Sequence, residues 1–199
     1  RGTPREDAPA VVPGRVQEFT RNGPLAFEAN QGQTDSRAGF LHRGSRFHLF
    51  LTPTEAVLAL RPGRGKPSVG SRQVEAGPQG SKGSHGPVLR MQLLGGTSRP
   101  QGVGLDQLAG KVNYFLGHDP ARWRTDVPTY AKVEYRQVYP GVTLVFYGRD
   151  REVEFDFVVA PGGDPRRIRL AFRGAERLEL IAGGDLLLHA AGGSVRLRK

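Results

Sequence analysis

Residues 142–159 read VTLVFYGRDREVEFDFVV, and this stretch decides the fold. Val142, Leu144 and Phe146 alternate with Thr143, Val145 and Tyr147. After residues 148–151, Val153, Phe155, Phe157 and Val159 alternate with Glu152, Glu154 and Asp156. A period of two on both sides of a short polar turn predicts a two-stranded antiparallel hairpin with one buried face.

Working outward toward the C-terminus, Ile168, Leu170 and Phe172 alternate with Arg167, Arg169 and Arg173. Apolar runs at 178–181, 186–188 and 194–197 are separated by Gly174, Gly183, Gly184, Gly192 and Gly193, so the last third reads as a meander of short strands. Toward the N-terminus, short runs at 46–51, 55–60, 88–94 and 111–116 are broken by Gly, Pro, Ser and Thr, the punctuation of successive hairpins. The 28 Gly and 15 Pro favour many turns over long helices. The expected fold is all-β, an antiparallel β-sandwich or paired meander sheets.

The rest of the chain divides accordingly. Residues 1–24 hold Pro4, Pro9, Pro13 and Gly14 among charges and read as an N-terminal arm or linker, with the β-rich domain at 25–199. Residues 62–87 are rich in Gly and Pro and poor in large apolar side chains, so a long loop is expected there. At 199 residues, the chain is long enough to bury a full core without disulfides, and it has no Cys to make them. No apolar run approaches the roughly 18 residues of a membrane helix, so no membrane span is expected. No leader is visible either, and the start at Arg1 without Met reads as a mature product or a fragment.

No residues are assigned to catalysis, cofactor or metal, and the chain is read as a non-enzyme without cofactor. Glu152, Glu154 and Asp156 share one side of a strand about 7 Å apart, the spacing of an inverting glycosidase pair. A hydrolase needs its acids on opposite walls of a cleft, so a solvent face ion-paired to Arg167 and Arg169 is the simpler expectation. His42, His48, His85, His118 and His189 lack ligand spacing, and Asp119 before Pro120 reads as a loop cap. No serine lies in G-x-S-x-G, and Gly102 and Gly104 lack the strand-to-helix setting of a dinucleotide site. Trp123, the only Trp, is expected to plug its loop onto the core, with ligand stacking as the rival reading. The formal charge of +10 and a pI near 10.6 imply weak adhesion to polyanions. The cations are scattered rather than interleaved with aromatics, which argues against specific nucleic-acid binding.

Six blocks carry a resemblance: LAFEANQGQ at 25–33, LFLTPTEAV at 49–57, LAGKVNYFLG at 108–117, DPARWRT at 119–125, VPTYAKV at 127–133 and VYPGV at 138–142. In this order they resemble the uncharacterised N-terminal β-rich domain found upstream of seven-bladed β-propeller (SBBP) repeats in bacterial secreted and surface proteins. The resemblance implies an extracellular or cell-surface location, and downstream domains of the same polypeptide as partners. It implies structural or interaction work; a carbohydrate-binding or glycan-hydrolysing module using Trp123 is the alternative. Asn30, Gln31, Gly32 and Gln33 would form a hydrogen-bonded turn that holds strands together. Against that family the chain reads as truncated beyond Arg198 and Lys199, leaving an open edge strand through which copies could assemble into a filament or matrix.

Overall fold

The structure, a computed structural model, describes the backbone of residues 10–17 and residues 25–61, 86–97, 99–149, 152–191 and 193–198. The alternating stretch forms the expected hairpin, β9 (Val142–Arg149) and β10 (Glu152–Val159), paired in register from Val142 opposite Val159 to Arg149 opposite Glu152. Val142, Leu144, Phe146, Val153, Phe155, Phe157 and Val159 are buried. Every strand pair is antiparallel, so the all-β fold is as expected.

The long strand β8 (Arg124–Tyr139) organises the rest. One of its edges is paired along most of its length with β7 (Gly102–Tyr114). Tyr130 is paired with Gln107 of β7 and with Phe27 of β2 (Phe27–Ala29), while Lys132 is paired with Leu105 of β7 and with Tyr147 of β9. Because β7 holds one edge, β2 and β9 must share the other, and the sheet forks at Ala131. One wing runs from β2 through β3 (Phe40–Arg43), β4 (Phe47–Leu51), β5 (Glu55–Leu60) and β6 (Val88–Leu93) to β11 (Leu170–Arg173). The other runs from β9 through β10, β1 (Ala10–Gln17), β14 (Gly193–Arg198) and β13 (Leu186–Ala190) to β12 (Arg177–Leu180).

The wings face each other over one apolar core. Leu49, Leu58 and Met91 from the first and Phe146, Phe155 and Leu197 from the second belong to one buried cluster and line a common cavity of about 40 Å³. The wings are also fastened at the far end of β8. Buried Tyr139 directs its hydroxyl at the carbonyls of Arg169 (2.9 Å) and Leu94 (3.2 Å) and accepts from the Arg169 N–H (3.3 Å).

Four expectations change. Within the segment read as an arm, residues 10–17 form a strand, since β1 pairs with β10 along eight positions and with β14 at Arg15 and Val16. The Pro-rich composition concealed a strand whose ladder is supplied from the other end of the chain. Arg198 is not on an open edge, because β14 is paired with both β1 and β13; β7, β11 and β12 have a free edge among the described residues. Ile168 to Arg173 do not continue the meander beside β10, since β11 crosses to pair with β6. Finally, Glu152 and Glu154 are buried and Asp156 is half-buried, so they do not form a solvent face. With β1 and β9 on its two edges, β10 is a central strand and Arg167 and Arg169 lie elsewhere. The Gly/Pro-rich loop expected at 62–87 falls, over 62–85, outside the described residues.

Candidate functional site

The β7–β8 hairpin extends past its neighbours. Its upper half is held by local hydrogen bonds: Thr129 Oγ1 donates to the Gly110 carbonyl (2.5 Å), and Asn113 Oδ1 accepts from the Asp126 N–H (2.8 Å) at a left-handed residue with φ of 56°. The turn between the strands contains a 3₁₀ segment, Pro120–Arg122, for which Asp119 is the cap, its carboxylate accepting from the Ala121 N–H at 3.0 Å. Asp119 therefore caps the loop, as its position before Pro120 predicts.

Three large apolar side chains stand at this tip. Phe115 is 63% exposed, Leu116 46% and Trp123 36%. The indole is not a plug onto the core, as expected from its loop position. It packs edge-on against Phe115, ring centroids 5.1 Å apart at 89°, and donates from Nε1 to the Gly117 carbonyl at 3.2 Å. The tip thus presents a fixed aromatic pair to solvent. Sequence reading placed Phe115 and Leu116 at the end of an ordinary strand. The available signal was the run Tyr114, Phe115, Leu116, which abandons alternation just before a Gly and Pro turn.

The amide-rich block beside the hairpin braces it. Asn30 Nδ2 donates to the carbonyls of Asp35 (2.8 Å) and Ala38 (2.7 Å), and its Oδ1 accepts from the Gly32 N–H (3.0 Å). Gln33 Nε2 donates to the Ala29 carbonyl (2.7 Å) while its Oε1 accepts from the Gln31 N–H (2.6 Å). This is the hydrogen-bonded turn expected at residues 30–33. Its Gln31 carbonyl accepts from Arg124 Nε (2.8 Å), and Arg124 Nη1 reaches the carbonyls of Trp123 (2.9 Å) and Ala121 (3.3 Å), so one guanidinium joins turn and tip. Gly32, at φ +101°, is required here: a Cβ would lie 3.2 Å from Arg124 Nε. On the neighbouring strands, the Tyr114 hydroxyl donates to buried Glu28, and the Arg43 guanidinium sits 5.1 Å over the Tyr114 ring. Burial first, then the Glu28 hydrogen bond, pushes the Tyr114 phenol up to about 12.

The acids weighed for hydrolysis are not brought to Trp123. Glu152, Glu154 and Asp156 lie on β10 in the other wing, where Asp156 accepts from the Tyr147 hydroxyl (2.8 Å) and Glu152 pairs with Arg198 (3.5 Å). Of the histidines, His42 is buried with Nδ1 2.9 Å from the Ala26 carbonyl, His48 stacks on Phe50, and His118 is exposed on the tip. Among the described residues no cluster of His, Asp and Glu has the form of a metal centre. Sequence reading missed one grouping: Ser194 Oγ is 3.5 Å from His189 Nδ1, and His189 Nε2 is 2.9 Å from Glu179 Oε2. The register β12–β13–β14 produces it, and Arg177 also pairs with Glu179 at 2.8 Å. Hydrogen bonding from His189, then the charge of Arg177, holds the Glu179 carboxyl below its ordinary range. The Ser to His distance is at the outer limit of a hydrogen bond, and the group is a cross-strand ladder on an open sheet face.

The family described as "Domain of unknown function (DUF7948)" matches residues 27–199. No curated protein and no solved structure matches the chain.

Proposed function

Since the chain belongs to the DUF7948 family, we propose that it is a non-catalytic structural and interaction module of an exported bacterial protein, working through the tip of its β7–β8 hairpin. The observation that carries this reading is the exposed Phe115, Leu116 and Trp123 group at a tip that Arg124 ties to the residue 30–33 turn. Each of the three leaves apolar surface in water that folding of the domain does not recover, 63% of Phe115, 46% of Leu116 and 36% of Trp123. Their burial comes from an outside partner. The ordered sequence blocks resembling the domain upstream of SBBP repeats support placement at the cell surface or outside the cell, joined to downstream propeller repeats.

The test uses the full gene product in its host. With Phe115→Ser and Leu116→Ser together, export continues and the protein is lost from the surface fraction into the medium. Unchanged surface retention of that variant would overturn the tip as the working contact.

A further inference from the structure

We propose that the hairpin tip is a lipid anchor, inserting Phe115, Leu116 and Trp123 into the headgroup region of a bilayer bearing anionic lipids; this rests on the reading of the tip as the module's contact. Its shape argues for a soft partner. The cavity between the wings and the groove at Phe50 and Arg90 both lie elsewhere, and the tip is the turn of a hairpin that reaches past its neighbouring strands. The two rings stand perpendicular, at 89°, so together they offer no flat two-ring platform for a stacked sugar. A bilayer takes a convex apolar point without a matching pocket, and aromatic rings with one polar end prefer its interface.

Charge on the tip fits the anionic surface. Arg122 is exposed and has no acidic partner among the described residues, and Arg124 lies just behind Trp123. The single acid of the turn, Asp119, is directed back at the Ala121 N–H. Arg43 adds a cation over Tyr114, and the chain as a whole carries +10. An apolar point ringed by arginines gains from both hydrophobic insertion and attraction to acidic headgroups. The backbone hydrogen bonds of the 3₁₀ segment satisfy much of the turn internally, which lowers the cost of moving it out of bulk water.

The single Trp makes the test site-specific, since all indole emission comes from the tip. The purified chain is mixed with vesicles of phosphatidylcholine alone, or containing about one third phosphatidylglycerol, and followed by flotation and fluorescence. With the anionic vesicles, Trp123 emission shifts to the blue, is quenched by acyl-chain-brominated lipid, and the protein floats. Phe115→Ser with Leu116→Ser, both exposed and checked for folding by circular dichroism, lowers vesicle partition about tenfold or more. Arg122→Gln lowers it about fivefold on anionic vesicles. No shift and no flotation would overturn the proposal, as would flotation undiminished in the double serine variant. A blue shift produced by oligosaccharides, or by concentrating the protein without vesicles, would also overturn it and reassign the tip to a glycan or a second copy. If vesicles fail while the double serine variant still releases the full gene product from the surface, lipid anchoring falls and the interaction module stands.

Discussion

Tyr135 and Tyr139 stand four residues apart on β8, both buried, yet their hydroxyls meet opposite fates. The Tyr139 hydroxyl is bonded to backbone groups of Arg169 and Leu94, while the Tyr135 hydroxyl has no hydrogen-bond partner among the described residues. Removing an unsatisfied buried hydroxyl relieves a desolvation cost, so Tyr135→Phe raises stability by about 1 kcal/mol. Tyr139→Phe removes the hydroxyl's bonds to the Leu94 and Arg169 backbone at the junction of the wings and costs about 1–3 kcal/mol. Urea melts of the two variants, equal in chemistry and opposite in sign, check this. Glycines are equally position-specific. A Cβ on Gly104 would fall 2.5 Å from the Tyr130 ring, whereas one on Gly110 meets nothing within 4 Å. Gly104→Ala therefore costs about 1–3 kcal/mol by overpacking, and Gly110→Ala is neutral or slightly stabilising. For Tyr114, a phenol raised to about 12 means the folded state holds its proton more tightly than the unfolded state. Its contribution is fully present below about pH 10, the ordinary phenol value, and is lost as pH rises toward 12. Burial also raises Tyr135 and Tyr147, so phenolate absorbance should show Tyr114 among several late-titrating residues, and Glu28→Gln should bring one of those late midpoints down.

At the scale of the element, the hairpin depends on a turn remote in sequence. Arg124→Ala removes the bond to Gln31 and both bonds to the tip carbonyls, so amide exchange at Trp123 and Arg122 should quicken about tenfold while β9 and β10 keep their protection. Equal protection in variant and parent would show that the tip is held by its own 3₁₀ segment alone. Strand legibility in the sequence follows from where each strand finds its partners. The β9–β10 hairpin was legible because alternation and turn are both local. In β7, Gly102 and Gly104 read as turn residues because the rings that cover them, Tyr135 and Tyr130, come from β8. Strand β1 was hidden by Pro13 and Gly14 in its middle, and its pairing with β10 spans most of the chain. Alternation in β10 announced two unlike faces, but nothing in it required the acidic face to be wet, and Glu152 and Glu154 are buried. The residue 30–33 turn was legible from its amides alone. What it supports, the exposed tip, was not, because Trp123 is ordinarily buried and its exposure is a property of the hairpin's reach.

For the whole molecule, a sheet that forks at Ala131 and closes its wings over one core should unfold as a unit. Circular dichroism should show one cooperative transition, and Trp123 emission should follow it as the Phe115 contact and the Gly117 hydrogen bond are lost. Deleting residues 1–17 leaves both β10 and β14 with unpaired edges, and the folded monomer should give way to larger species on a sizing column. A fully monomeric deletion product would show that the two edges close on each other without β1. The position of β1 also governs the order of events in time. Among the described strands it is the first to be synthesised, and it takes its place between β10 and β14, the latter completed only at Arg198. Loops of such length close slowly, and a nascent chain that has not reached Arg198 lacks one of the three strands. Final closure of the domain therefore waits on β14, and until that strand exists the slot that β1 fills has only one wall, β10.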